Sequence, residues 1–280
     1  MAAKVGRVDH PVVAVHQLEP TRVQYKKLGF VVPPTGYHRE WGTANVCIMF
    51  AEDYLEIRGV GDPHKFLAGL DKFLVHGEGL CGVAFNSRNA DESYAEAIAT
   101  GVGIELPKHL NRQLVLEDKT LDLHFKTVML AHDLYPGLTH ANLCEHLTPE
   151  ALRQPGWLDH PNGVISFGRL VGVVRDFDAA QAAYTRLLGA HNVKREADRI
   201  FLDFGEGADV ELIAPEEAER RGDAQPVRGD YMAAATLLVK DIATTEKWFA
   251  DNAIRYRQVD GQLAVAPADA CGAHLYFQQA

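Results

Sequence analysis

Two stretches of the sequence share one pattern and decide the fold. Residues 8–30 read VDHPVVAVHQLEPTRVQYKKLGF, and residues 168–190 read GRLVGVVRDFDAAQAAYTRLLGA. Each begins with an apolar strand, continues through an acidic or polar helix start, and ends with an amphipathic helix that closes on Leu-Gly. When Gly29 is aligned with Gly189, His10 falls on Leu170. The chain therefore contains an internal repeat, which has to be recognised before any fold is assigned.

The repeat continues beyond the helix. Residues 53–58, DYLEIR, correspond to residues 209–214, DVELIA: both are short strands with a carboxylate in the middle, and we match Glu56 with Glu211. Between the helix and this short strand each copy has room for two more strands, among them NVCIMF in the first copy and RIFLDF in the second. The repeated unit is therefore strand, helix and three strands, or βαβββ.

Looser copies of the same unit begin near residue 80, at GLCGVAFNS, and near residue 232, at AAATLLVKD. The chain is thus predicted to be an α+β protein in which four βαβββ modules pair into two domains, at 1–150 and 160–280. A stretch rich in proline and glycine, TPEALRQPGWLDHPNG, separates the pairs and is typical of a linker or loop.

Composition excludes several classes of function. The 280 residues are 47% hydrophobic and 24% charged, with a formal net charge of -10, so a nucleic acid or an anionic membrane surface is an unfavourable partner. No apolar run reaches the ~20 residues that span a bilayer, and MAAKVGRVDH lacks the apolar core of a secretory signal. The four cysteines are far apart and are expected to be reduced. We expect a cytoplasmic protein.

Paired βαβββ units provide the geometry of a pocket. One unit makes a curved sheet that cannot bury both faces alone, and two units joined edge to edge make a deep, barrel-like cup. Alternate residues of the first and fourth strands line its inner face, so that inward polar side chains meet at one point. Strands place such side chains rigidly, which suits a metal site.

The residues that carry a family resemblance lie mainly in the first half. They are DHPVVAV with His10, HREWGTANVCIMF from His38 onward, DYLEI with Glu56, and CEHLTPE followed by HPNG. With these motifs the chain resembles the vicinal oxygen chelate superfamily, which includes glyoxalase I, extradiol ring-cleavage dioxygenases and bleomycin and fosfomycin resistance proteins. The resemblance is to its glyoxalase-like branch above all. It covers nearly the whole chain and is weakest over the last 50 residues.

The resemblance implies one divalent ion held by the first and fourth strands. His10 is then the first-strand ligand and Glu56 the fourth-strand ligand. In the second module the fourth strand ends in Glu145 and His146, of which strand alternation lets only one point inward. We favour His146, because imidazole with carboxylate is a common ligand set for first-row metals. The remaining position falls near Gly82, so the four-ligand glyoxalase pattern is not complete.

Further side chains are candidates for chemistry around the ion. His38 and His124 are candidates for proton transfer, and Trp41, Asn45 and His160 for substrate binding. Each has a simpler alternative: His38 in an exposed loop, Trp41 as packing, and His160 fixing a turn. Since His124 alternates with Leu123 and Phe125, we expect it to face the cup.

The resulting hypothesis is a metal-dependent enzyme whose ion chelates two adjacent oxygens of a small-molecule substrate. Two histidines and one carboxylate favour Fe²⁺, with Zn²⁺, Ni²⁺ or Mn²⁺ as alternatives, and they slightly favour dioxygenase chemistry over a glyoxalase-like lyase or isomerase. The rival class is a non-enzymatic small-molecule binder. No organic cofactor is predicted. In the second domain Leu170 replaces the histidine, so we expect this domain to have lost the metal and to support, cap or form a homodimer.

Overall fold

The computed structural model describes residues 5–131, 135–225 and 229–280. The first module consists of β1 (Val8–Ala14), α1 (Leu18–Lys27), β2 (Gly36–His38), β3 (Thr43–Met49) and β4 (Tyr54–Val60). After the short helix α2 (Leu70–Leu74), the second module consists of β5 (Gly79–Asn86), α3 (Ala90–Ala99), β6 (Lys108–Val115), β7 (Thr120–Met129) and β8 (His140–His146).

The second half repeats this order after the one-turn helix α4 (Pro149–Leu152). Its first module consists of β9 (Val164–Val173), α5 (Phe177–Leu188), β10 (Val193–Glu196), β11 (Arg199–Leu202) and β12 (Asp209–Ile213). Helix α6 (Pro215–Arg221) leads to β13 (Tyr231–Val239), α7 (Ile242–Asp251), β14 (Arg257–Val259), β15 (Gln262–Val265) and β16 (His274–Gln279). The four predicted βαβββ modules are thereby confirmed.

The modules pair into two eight-stranded sheets. The first sheet is a closed barrel in the order β1-β4-β3-β2-β6-β7-β8-β5, and the second has the order β10-β11-β12-β9-β13-β16-β15-β14. In every module the first and fourth strands are parallel, and the first strands of paired modules, β1 with β5 and β9 with β13, are antiparallel. The barrel closes where Tyr37 of β2 pairs with Gln113 of β6.

Local sequence explains why the long helices begin where they do. The side chains of Asn89, Asp176 and Asp241 each accept backbone N–H bonds from the first turn of α3, α5 and α7. Such caps satisfy donors that the helix itself cannot. None of the helices in the described ranges is long and apolar enough to cross a membrane.

Alternating residues of the barrel strands point to opposite faces of the sheet and pack into two different hydrophobic clusters. One set packs outward under the helices, where Tyr25 of α1 and Phe85 of β5 are fully buried. The other set points inward and forms a smaller cluster that includes Cys47, Met49 and Leu123. The inner face of the barrel therefore carries an apolar cluster beside a group of polar side chains, which includes His10, Asn45, Glu56, Arg58 and Arg112.

Strand register corrects the predicted match between His10 and Leu170. Val12 pairs with Glu56 in the first sheet, and Val171 pairs with Glu211 in the second. The residue two positions before Val12 is His10, and the residue two positions before Val171 is Arg169. The glycine alignment was off by one residue because α5 is longer than α1. An arginine therefore stands where the first domain has its histidine.

Candidate metal centre and cup of the N-terminal barrel

A β-bulge at the start of β1 turns two consecutive side chains toward the same place. The pairing of β1 with β5 shifts register between Val8 and His10, and such a shift re-aims side chains that would otherwise alternate. As a result Asp9 and His10 are both buried, and His10 Nδ1 lies 2.6 Å from Asp9 Oδ2. Asp9 is therefore a member of the site that strand alternation did not predict.

Glu56 lies at the centre of a buried polar network. Arg58 donates to both of its oxygens, at 3.0 and 2.6 Å, and Asn45 Nδ2 donates to Oε1 at 2.7 Å. His10 Nε2 lies 3.3 Å from Oε2. The carboxylate is 2% exposed, and these partners compensate the charge that burial would otherwise make costly.

The charges of this network determine the direction of each pKa shift. Burial alone would raise the pKa of Glu56, but the Arg58 guanidinium and His10 more than reverse this and hold it well below its usual range. Burial would likewise lower the pKa of His10, and its bonds to Asp9 and Glu56 raise it instead. His10 between two carboxylates is thus favoured as an imidazolium.

A second guanidinium lies in the same cup. Arg112 of β6 is 3% exposed, and its NH1 donates to Asn45 Oδ1 and contacts Cys47 Sγ, each at 2.8 Å. Its buried Nε has no hydrogen-bond partner among the described residues. Arg58 and Arg112 together make this part of the cup positively charged, which opposes a divalent cation beside Glu56.

The other side of the cup holds a group of potential metal ligands. One ligand atom from each of Asp9, Cys144 and His146 lies within 4.8 Å of the others. His146 Nε2 is 2.8 Å from Asp9 Oδ2, whereas its buried Nδ1 has no hydrogen-bond partner in the described structure. Glu145 faces the opposite way, where its Oε2 accepts the Ala90 N–H at 2.8 Å and caps α3.

The predicted trio of His10, Glu56 and His146 does not come together as expected. Within the described ranges, the three-residue group with ligand spacing is Asp9, Cys144 and His146. Asp9 lies between the two imidazoles, and Arg58 covers both oxygens of Glu56. The bulge that brings Asp9 inward is the physical reason for the difference.

The donors present fit a divalent ion. Two ligands of one ion lie roughly 3 to 3.5 Å apart when each is at about 2.1 Å from the metal. The separation of 2.8 Å between Asp9 Oδ2 and His146 Nε2 is close to this range. Imidazole, carboxylate and thiol suit zinc and other first-row metals. Burial raises the pKa of the Cys144 thiol, so metal binding would have to displace its proton.

Besides His10 and Glu56, three of the residues predicted for proton transfer or substrate binding line the cup: His38, Trp41 and Asn45. His38 Nδ1 lies 2.8 Å from Thr43 Oγ1 and 3.1 Å from its carbonyl oxygen. Burial lowers the pKa of His38 to about 4, so the imidazole is neutral near pH 7. The remaining space is narrow, about 50 Å³, and Phe125 and Met129 form apolar walls.

Two predicted residues lie elsewhere. The expectation that His124 faces the cup is wrong, because Phe125 points inward on β7 and the His124 ring lies outside, hydrogen-bonded to Asn111. His160 is buried between elements. Its Nδ1 accepts the Val31 N–H at 3.0 Å, and its Nε2 donates to the Met49 carbonyl at 2.9 Å.

Sequence reasoning missed four members of the site: Asp9, Arg58, Arg112 and Cys144. Two of them carry a usable signal, since Arg58 follows Glu56 by two residues and Cys144 precedes His146 by two, which puts each pair on one strand face. Arg112 has no local signal, because it reaches the cup only through closure of the barrel at β2 and β6.

Comparisons with solved structures reveal similar folds at low sequence identity. A hypothetical protein from Staphylococcus aureus is 8% identical with a TM-score of 0.70, over 98% of this chain and 99% of that one. A triple mutant of 4-hydroxymandelate synthase from Streptomyces coelicolor is 10% identical with a TM-score of 0.65, over 98% and 92%. A xylose isomerase-like TIM barrel/4-hydroxyphenylpyruvate dioxygenase fusion protein is 13% identical with a TM-score of 0.59, over all of this chain and 49% of that one.

The sequence comparison is more specific about the family. No curated protein matches the chain. The sequence model of the glyoxalase-like domain matches residues 8–188, which include the whole barrel, the cup and the first strand and helix of the second sheet. By this match, and by the paired βαβββ modules, the chain belongs to the glyoxalase-like domain family of the vicinal oxygen chelate superfamily.

Proposed function

We propose that the N-terminal cup is the active site of a metal-dependent enzyme, with Asp9, Cys144 and His146 holding one divalent ion. The observation that carries this proposal is the convergence of these three donors in the barrel. When bound, the ion would act as a Lewis acid toward two neighbouring oxygens of a small substrate.

His10 and Glu56 then have a different role from the one that the sequence suggested. Arg58 already occupies both Glu56 oxygens, and a second cation at the same carboxylate would have to displace it. His10 has one ring nitrogen facing Asp9 and the other facing Glu56. We therefore propose that His10 holds a proton at Nε2 and exchanges it with substrate, while Arg58 keeps Glu56 ionised.

The walls of the cup restrict the substrate. Trp41, Phe125 and Met129 surround the space and exclude water, and Asn45 and Arg112 present the polar groups. This lining suits the reacting end of a small, partly apolar molecule whose adjacent oxygens carry negative charge. An oxyanion that forms beside Arg112 would be stabilised by the guanidinium.

Among the reactions of the superfamily we place dioxygenase chemistry first, with Fe²⁺ as the ion. The similarity in fold to a chain that contains a 4-hydroxyphenylpyruvate dioxygenase supports this only by analogy. A glyoxalase-like lyase or isomerase with Zn²⁺, Ni²⁺ or Mn²⁺ is the second candidate, because a thiol in the ligand set suits zinc.

Metal analysis of protein purified without oxygen tests the proposal. We expect about one divalent ion per chain, with Asp9→Asn and His146→Ala each weakening its binding at least ~10-fold. His124→Ala, outside the cup, is the matched control and should retain the metal. Iron would support oxygen chemistry, and zinc or nickel the lyase or isomerase. If His10→Ala and Glu56→Gln lose the ion while Asp9→Asn keeps it, the ligand set predicted from the sequence is correct and ours is wrong.

A non-enzymatic binder is a separate candidate that one observation favours. The Glu56 network is complete without an ion, since Arg58, Asn45 and His10 satisfy the carboxylate. If wild-type protein binds no divalent metal when any of the four ions is supplied, the enzyme proposal fails. The cup would then be a binding site for a small anion.

A further inference from the structure

The concave face of the C-terminal sheet contains an open cleft of about 580 Å³. This volume lies within the range of about 300–1,000 Å³ that small-molecule sites occupy. Among the described residues, five arginines line the cleft: Arg169, Arg199, Arg220, Arg221 and Arg257. Four carboxylates also line it: Glu211, Glu217, Asp223 and Asp260. This cleft has a surplus of positive charge although the formal net charge of the chain is -10. A positively charged cleft raises the local concentration of anions.

Most of the acidic groups in the cleft are already paired. Arg221 donates to both oxygens of the buried Glu211, at 3.0 and 2.8 Å, and to Glu217 at 2.6 Å. Arg220 also contacts Glu217, and Tyr276 donates to Asp223 at 2.6 Å. These contacts engage three of the four carboxylates that line the cleft, and Asp260 is the fourth.

Of the other three arginines, Arg199 lies closest to the buried carboxylates, 3.5 Å from Glu211 and 3.6 Å from Glu217. Arg169 and Arg257 are therefore the two guanidinium groups in the cleft that are least engaged. The nearest carboxylate oxygens to Arg169 lie at 3.7 Å, on Glu211, and 3.9 Å, on Asp209, which is beyond hydrogen-bond reach. The Arg169 side chain is 43% exposed. The Arg257 backbone pairs with Ala264 in the sheet, and its guanidinium makes no hydrogen bond or ion pair within the described part of the chain. Both side chains line the same cleft.

A hydroxyl on the neighbouring strand β13 adds a polar group to the cleft floor. Thr236 of β13 pairs with Arg169 on β9 and with Tyr276 on β16. It lines the cleft although it is only 7% exposed, and its hydroxyl makes no hydrogen bond within the described ranges. The hydroxyl lines the cleft, where a ligand can form a hydrogen bond with it. Phe201 and Val259 provide apolar walls beside it.

We propose that this cleft is a second ligand site that binds a short organic dicarboxylate. One carboxylate meets Arg169 and the Thr236 hydroxyl, the other meets Arg257, and the carbon chain between them contacts Phe201 and Val259. Arginine suits this role because its planar fork matches a carboxylate with two parallel hydrogen bonds. The second domain therefore binds an anion through a fixed cation, Arg169, at the position where the first domain has His10.

Titration calorimetry with succinate and glutarate on the full chain tests this proposal, with acetate at matched ionic strength as the reference ligand. We expect a dicarboxylate Kd below about 1 mM in dilute salt, and a much weaker interaction with acetate. Arg169→Gln and Arg257→Gln should each weaken binding at least ~10-fold, and Thr236→Val by a smaller factor. Arg255→Gln is the matched control, since Arg255 is exposed and pairs with Asp269 outside the cleft. Circular dichroism checks that each variant is folded.

Three results would overturn the proposal. The first is no dicarboxylate binding up to about 10 mM, or binding no tighter than that of acetate. The second is full binding by the Arg169→Gln/Arg257→Gln double variant, which would place the ligand elsewhere, including the N-terminal cup. The third is inorganic phosphate binding more tightly than any dicarboxylate with the same dependence on both arginines, which would assign the cleft to phosphoryl groups instead.

Discussion

Arg58 and Glu56 form a two-point ion pair on the inner face of β4, with Nε to Oε1 at 3.0 Å and NH2 to Oε2 at 2.6 Å. The two side chains point the same way because they are two residues apart on one strand. Glu56 is almost completely buried, and the Arg58 side chain is 19% exposed. An ionised carboxylate in this position depends on its cation, so the pair should behave as a unit.

The first prediction concerns this unit. Arg58→Met leaves the Glu56 charge buried without its main partner and should lower the free energy of unfolding by about 3–5 kcal/mol. The double variant Glu56→Gln/Arg58→Met should be less destabilised than the single one, because it removes both charges. Urea unfolding measures this. Arg39→Gln, whose pair with Asp122 is exposed, is the control and should cost less than about 1 kcal/mol. If Arg39→Gln lowered the free energy of unfolding as much as Arg58→Met does, the buried-pair interpretation would be contradicted.

The second prediction concerns the pH dependence of stability. Burial raises the pKa of the Asp53 carboxyl from 3.8 to about 7; its Oδ2 accepts the Phe167 N–H at 3.1 Å, while Oδ1 has no partner among the described residues. Between these two values the folded state holds a proton that the unfolded chain has released. The protonated Asp53 carboxyl therefore makes its full contribution to the free energy of unfolding at low pH. This contribution declines as the pH rises toward about 7 and is absent above it.

Asp53→Asn should remove this decline. The amide oxygen can still accept the Phe167 N–H, and no charge is buried at high pH. At pH about 8 we expect the variant to be more stable than wild type by roughly 1 to 4 kcal/mol, with a difference that shrinks toward pH about 4. Thermal unfolding across this range measures it, with the exposed Asp122→Asn as control. A constant offset at every pH would show that Asp53 does not titrate in this window.

The repeat made most of the fold predictable. Periodicity and glycine punctuation give four βαβββ modules, and the physics of a half-buried sheet gives their pairing. The exact register of the strands could not be predicted from the sequence. Helix α5 is longer than α1, so aligning Gly29 with Gly189 shifts the preceding strands by one residue relative to each other. Arg169, not Leu170, is consequently the counterpart of His10.

The site was predictable only where one strand carries the signal. Alternation correctly puts His124 on the face opposite to Phe125, but it does not say which face is inside the barrel. The interior proved to be the apolar face on β7, since Leu123 belongs to the inner cluster. The inward position of Asp9 could not be predicted for another reason. It depends on a β-bulge, which forms only when two strands pair and which interrupts the alternation of side chains.

The third prediction assigns His160 to structure and not to substrate. Its two ring nitrogens hold the Val31 N–H and the Met49 carbonyl, and its ring packs against Phe30 and Phe50. His160→Ala leaves two buried backbone groups without partners and should cost about 2–4 kcal/mol. The exposed His191→Ala should cost less than about 0.5 kcal/mol. Metal content per folded molecule should not change in either variant. A loss of ligand binding in His160→Ala without any loss of stability would restore the substrate-binding hypothesis.

The fourth prediction concerns Gly82, near which the missing first-strand ligand of the second module was expected from the sequence. A Cβ added at Gly82 would lie 2.3 Å from the His140 backbone carbonyl oxygen on the adjacent strand β8. Neither strand can move without disturbing the barrel, so Gly82→Ala should destabilise the protein by more than about 2 kcal/mol. Gly168→Ala is the matched control in β9, because its contact at 2.8 Å is the flexible end of Leu238, and it should cost less than about 1 kcal/mol. For the same reason Gly82→His should not add a fourth ligand. We expect this variant to be unfolded and not to bind the metal more tightly. A stable Gly82→His variant that binds the ion more tightly would show that the glycine is there for function and not for close packing of β5 and β8.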